Sequence, residues 1–193
     1  MAATDIAICN LALSYVGDYN ITSLSDDDAP SQQCALWYDI ARKLTLSSLD
    51  WNFARVRGIL LAHEDEPPEG EWYYRYIRPT ACLKLRFIEN LGGLRLPHHP
   101  FVIEGDSILT DIEDAIAVYT ADISTTTKFP VEFEQTLAVV LASRLAYPLT
   151  KKRTLAVELE EIANLYSWRM GAMNMNEEIP NEPPEASYIS GRQ

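Results

Sequence analysis

Apolar residues recur at helical spacing at both ends of the chain and at strand spacing in its middle. Near the start, Thr4 is placed to cap a helix, and Asp5 favours that helix's positive end. Ile6, Cys9, Leu13 and Val16 then fall on one face, and Gly17 fits the stop. A second helix opens at Asp28 with Pro30 near its first turn. Its expected inward face is Cys34, Trp37, Ala41, Leu44 and Ser48. The adjacent Asp26, Asp27 and Asp28 lack the ligand alternation, glycine and glutamate of a calcium loop, so they read as an acidic helix cap.

Trp51 and Phe53 follow, opening a segment that alternates every two residues. Large aromatics at the end of a helix and the start of a strand bury much area and hold two layers together. Trp37, Trp51 and Phe53 are therefore the expected core joint.

The middle of the chain reads as strands. Candidates are 53–61, the aromatic run 72–79, and a half-buried strand with Leu83, Leu85 and Phe87 inward and Lys84 and Arg86 outward. Phe101 to Thr110 reads as a hairpin about Gly105-Asp106, and Ala115 to Ile123 as a last strand. The polar, proline-bearing stretch 63–71 is a loop.

Helical spacing returns after Pro130. Phe133, Leu137, Val140, Leu141 and Leu145 share a stripe that Pro148 is expected to end. Thr150 is the expected cap of a further helix, with Leu155, Leu159, Ile162, Leu165 and Tyr166 inward. The short connection makes the two helices antiparallel. The inward stripe ends near Tyr166, and the period is lost after Met170.

The expected fold class is α+β: a discontinuous domain of about four helices, an inserted small antiparallel β module, and a flexible tail. Residues 1–52 and 130–176 would form the helical domain, 53–129 the insert, and 177–193 an acidic, proline-rich tail.

Charge narrows the choice of partners. A formal net charge of -12 disfavours gripping a nucleic-acid backbone but suits a surface that DNA slides past. No apolar run approaches the roughly 18–20 residues that cross a bilayer, and no secretory signal is expected at the N-terminus. Cys9, Cys34 and Cys82 are odd in number, widely spaced and set in apolar patterns, as expected for reduced core residues of a protein made in a cytoplasm.

Phosphate-binding loops, a nucleophile elbow and paired-cysteine motifs are absent. His98 and His99 lie between prolines with no third ligand at suitable spacing, so no metal or cofactor is expected. Glu104 and Asp106 flank a turn, where a solvated acidic edge outweighs a glycosidase pair. The segment from Trp168 to Met175 is different. Trp168, Arg169, Met170, Met173 and Met175 have the chemistry of interface anchors, or they pack back on their own domain.

Several segments in order carry a resemblance: 5–13, Ile21-Thr22-Ser23-Leu24 with the aspartates, Asp50 to Ala54, Trp72 to Tyr76, Pro79 to Leu83, Tyr119 to Ile123, Lys128-Phe129-Pro130, and Leu141 to Ala146. Together they resemble the tail tubular protein A family, head-to-tail adaptors of short-tailed bacteriophages, over roughly residues 4–175. The resemblance implies a virion protein without catalysis, forming a dodecameric ring between portal and tail nozzle. DNA would pass through its lumen without specific binding, and no membrane anchor is implied. It also implies portal docking by the C-terminal helix end, here Trp168 to Asn176. Glycan hydrolysis is attributed to some family members and is the alternative activity; its residues are not located in this sequence.

Overall fold

The computed structural model describes residues 4–68, 70–90 and 99–175. The expected tail, 177–193, lies outside the described residues, as does His98. The architecture is α+β, with four helices and two three-stranded antiparallel sheets among the described residues.

Two helices come first, α1 (Asp5–Val16) and α2 (Ala29–Ser48). Thr4 caps α1 by accepting from the Ala7 amide at 3.2 Å, and Gly17 ends it in the left-handed region at φ 80. Asp28 caps α2, accepting from the Ser31 amide at 2.8 Å. The inward face of α2 is rotated from the expected one. It carries Ser31, Cys34, Ala41, Arg42, Thr45 and Leu46, while Leu44 and Ser48 are exposed and Trp37 is half-buried.

The chain then makes a 3-10 turn, Asn52–Ala54, where strand was expected, before β1 (Arg55–Ile59). Trp51, just before the turn, and Phe53, within it, both pack in the helical core. Five further strands follow: β2 (Tyr74–Ile77), β3 (Cys82–Glu89), β4 (Phe101–Glu104), β5 (Ser107–Thr110) and β6 (Ile116–Ala121). The sheets are ordered β1-β6-β3 and β2-β5-β4. β4 and β5 form the expected hairpin, and Gly105 supplies the positive φ of its turn. β3 departs from simple alternation because two register shifts interrupt its pairing with β6. Cys82, Leu85 and Ile88 are buried, and Arg86 turns inward.

Two long helices close the described chain, α3 (Val131–Thr150) and α4 (Arg153–Met175). Pro148 lies inside the last turn of α3 and does not end it. The helix runs on to Thr150, whose hydroxyl donates to the Ala146 carbonyl and accepts from the Lys152 amide. Thr150 thus finishes α3 instead of opening α4. Proline so close to the end forfeits one helical hydrogen bond, which the packing of Leu145, Ala146 and Leu149 on the core offsets.

α3 is the axis of the helical core. Phe133, Leu137, Leu141 and Leu145 are fully buried, and α1, α2 and α4 all pack on this helix. On α4, Leu159 and Ala163 are buried, whereas Ile162 and Leu165 point outward, contrary to expectation. The small Ala163 lets α4 approach closely, so the larger residues on either side are rotated away. The inward face also extends past Tyr166. Met170 packs on the core, and a Cβ on Gly171 would meet Leu49 at 3.2 Å.

A second core fills the space between the sheets, built on Leu60, Tyr76, Leu85, Ile88, Ile108 and Tyr119. Ile123 touches both cores. Two arginines with buried side chains bind the helices to the first sheet. Arg42 of α2 donates to the Asp122 carboxylate, to the Ile123 carbonyl at 2.6 Å and to Asp39 at 2.6 Å. Arg86 of β3 donates to the Trp51 carbonyl at 2.6 Å and to the Thr120 hydroxyl at 3.0 Å. Burial pulls the Arg42 pKa down, but the hydrogen bonds to Asp122 and Asp39 outweigh it and raise it overall.

Candidate interaction surface

The residues singled out from sequence separate into two groups, an internal joint and an external helix end. Trp51 is buried, and its indole N–H donates to the Thr45 carbonyl at 2.8 Å, so the ring is fixed at both its apolar face and its polar tip. Phe53 meets it tilted and Phe133 edge-on, and Phe129 completes the cluster through edge-on contacts with Phe53 and Phe133. Trp37 packs on the same core from α2 and is half-buried. Phe53 and Phe129 lie 6.0 Å apart between ring centroids, at the two points where the chain leaves and re-enters the helices. This aromatic cluster belongs to the helical core, with only Trp37 and Phe53 left partly exposed.

The second group lies on the last three turns of α4. Trp168 is 81% exposed, the most exposed large apolar side chain among the described residues. Met173 is 51% exposed, and Arg169 is exposed one helical turn before it. Met170 is half-buried against the core. Met175 ends the helix, and its side chain lies outside the described residues. At about 100° per residue, Trp168 and Met173 diverge by roughly 140° around the axis. The outer surface therefore wraps the helix end and is not a single stripe. Because Met170 and Gly171 press the inner side of these turns onto the core and Leu49, Trp168 is offered from an anchored helix. A partner would meet it with little backbone ordering to offset.

The carboxylates considered for glycan chemistry are placed differently. Glu104 and Asp106 are exposed, as are the neighbouring Asp111, Glu113 and Asp114. Glu89 is the buried carboxylate among the described residues, and Arg57 binds both of its oxygens, at 3.1 and 3.0 Å. Among the described residues no group of three or more histidine, cysteine or acidic side chains is placed to hold a metal ion. No described helix is long and apolar enough to cross a membrane.

Sequence reasoning missed Arg42 and Arg86. It also missed an exposed apolar run on α2, Leu36, Ile40 and Leu44, of which it had placed Leu44 inside. The i, i+4, i+8 spacing was the available signal for that run. Comparison with protein-family models and with curated proteins finds no match to this chain.

Proposed function

We propose that the chain is a structural virion protein of a short-tailed bacteriophage, a head-to-tail adaptor that assembles as a ring between portal and tail nozzle. The observation that carries this reading is Trp168, 81% exposed on a helix whose opposite side is anchored to the core. A tryptophan so presented, with Arg169 and Met173 on neighbouring turns, has the chemistry of an interface centre. The ordered resemblance of segments 5–13, 50–54, 72–76 and 119–123 to the tail tubular protein A family supports the choice of partner. The ring would be dodecameric by that resemblance and would form only on the portal. DNA would pass through an acidic lumen that repels its phosphates, in keeping with the net charge of -12.

Electron microscopy of the full chain mixed with the portal protein of the same genome tests the reading. The expected result is a ring of this chain on one end of the portal and a monomer without portal. Portal particles that carry no added density at equimolar or higher concentrations would overturn it.

A further inference from the structure

Charge is unevenly spread along the chain. From 135 to 157 no acidic residue occurs, and Arg144, Lys151, Lys152 and Arg153 are all exposed. From 99 to 127 no lysine or arginine occurs, and Asp111, Glu113 and Asp114 stand exposed together. Among the described residues, none of these cations pairs with an acidic side chain, and none of these three carboxylates pairs with a basic one. Helix stability accounts for only part of the basic group. Lys151 sits at the negative end of α3, where a cation is favourable. Arg153 opens α4 at that helix's positive end, where a cation is unfavourable and the first turn holds no acidic residue to offset it. The turn is set in place: Lys151 is left-handed at φ 59, and the Lys152 amide donates to the Thr150 hydroxyl at 3.1 Å. Tyr147, 55% exposed, lies between Arg144 and Lys151 on the same face of α3. The acidic turn after β5 is held as firmly. The Tyr73 amide donates to Asp111 at 3.2 Å, and the Tyr76 hydroxyl donates to the Ile112 carbonyl at 2.8 Å. Beside it the Tyr73 side chain is 80% exposed.

We propose that the basic turn between α3 and α4 docks on a second copy of this chain, against the acidic turn of its β module around Asp111, Glu113 and Asp114. This assignment rests on the ring-forming adaptor reading. Two copies of a chain of formal charge -12 repel over most of their surface, and here one copy offers unpaired cations to the unpaired carboxylates of the other. Each face also carries an exposed tyrosine, a residue type frequent in interfaces. DNA is the weaker candidate for the basic turn, because the rest of so acidic a chain repels its phosphates. The two faces differ, so the contact is head-to-tail; contacts of that kind propagate and close into a ring when the rotation allows. Exposed ion pairs are individually weak and screened by salt, so this contact alone does not hold free chains together. It adds to the hold of a portal that gathers the copies.

Disulfide trapping between differently tagged full chains tests the contact, at about 0.01 M ionic strength, where charges are felt over about 30 Å. The native cysteines are all buried, so introduced surface thiols are the ones within reach of oxidised glutathione. Thr154 and Tyr73 are exposed, and replacing them leaves every charge of both faces in place. Chains with Thr154→Cys, mixed with chains carrying Tyr73→Cys, should cross-link at least about tenfold more than the same chains mixed with Ser14→Cys, an exposed position on α1. Adding Lys152→Glu and Arg153→Glu to the first chain should bring the yield down to that of the control, and adding Glu113→Lys to its partner should restore part of it. Equal yields with Tyr73→Cys and Ser14→Cys would overturn the proposal, as would a yield that charge reversal leaves unchanged or Thr154→Cys chains pairing chiefly with one another. A labelled DNA duplex that binds the parent but not the chain with Lys152→Glu and Arg153→Glu would assign the turn to nucleic acid and overturn it too. If Tyr73→Cys does not fold, Glu113→Cys takes its place. The mixture contains no portal, so its failure leaves the portal reading standing, and a failed portal experiment leaves this measurement readable.

Discussion

Trp51 and Phe133 meet edge to face, their ring centroids 5.2 Å apart and their planes at 89°. One residue lies just past α2 and the other in the first turn of α3, so this contact joins the two sequence halves of the helical core. Trp51→Ala should cost on the order of 3–5 kcal/mol, from lost transfer energy and the cavity left behind. Chemical denaturation measures this directly. A midpoint unchanged from the parent's would show that the joint does not hold the layers together.

The second link between layers is Arg42, which bonds α2 to Asp122 and the Ile123 carbonyl beyond β6. Arg42→Ala takes this donor from that carbonyl and from the Asp122 and Asp39 carboxylates, of which Asp39 keeps Lys43 at 2.7 Å. Both carboxylates retain access to water, so the expected loss is about 2–3 kcal/mol, below that of a fully buried pair. Arg42→Lys should not restore it, because an ammonium cannot reach the three acceptors as a planar fork does. Recovery of parental stability by the lysine variant would show that charge alone matters at this site.

Acid should weaken the same region. The hydrogen bond from Lys43, then that from Arg42, hold the Asp39 carboxyl below its usual range. A depressed folded-state pKa contributes stability above the unfolded value of about 3.9 and loses it as pH falls through the folded value. Asp39 is largely exposed, so the effect is small and salt weakens it. Unfolding midpoints compared at pH 6 and pH 3 should differ less in Asp39→Asn than in the parent. An identical pH dependence would remove Asp39 from this role.

The thiols should be silent in the folded chain. Cys9, Cys34 and Cys82 are buried, and a hydrogen bond to Cys34, reinforced by burial, pushes the Cys9 thiol far up. A colorimetric thiol reagent should find no reactive cysteine in the native protein and all three after denaturation. Rapid native reaction at any of them would show that the core opens.

Local signals were legible in the sequence where one residue decides the outcome. Thr4, Gly17, Asp28 and Gly105 each set a cap or turn by their own chemistry, and each does so in the structure. Helix faces were less legible, because counting large apolar residues overlooks small ones. Ala163 takes the close contact on α4, so Ile162 and Leu165 face solvent. On α2, Thr45 and Leu46 are inside, and Leu44 is out. Arg42 and Arg86 read as surface charges, since the carboxylate and carbonyls that receive them lie far along the chain. At the candidate surface, the residue types were legible, but which of them face outward was not. Met170 and Gly171 turn inward through contacts that sequence alone did not reveal.

The outer side of the α4 end is the proposed portal contact, and affinity for portal measures it most directly. Trp168→Ala with Met173→Ala should leave the melting temperature within a degree or two of the parent's, because both side chains are exposed. The same chain should bind portal at least about tenfold more weakly, the loss of an interface centre. Titration of fluorescently labelled full-length chain with purified portal reads both parent and variant. A folded variant that binds portal as tightly as the parent would contradict the account.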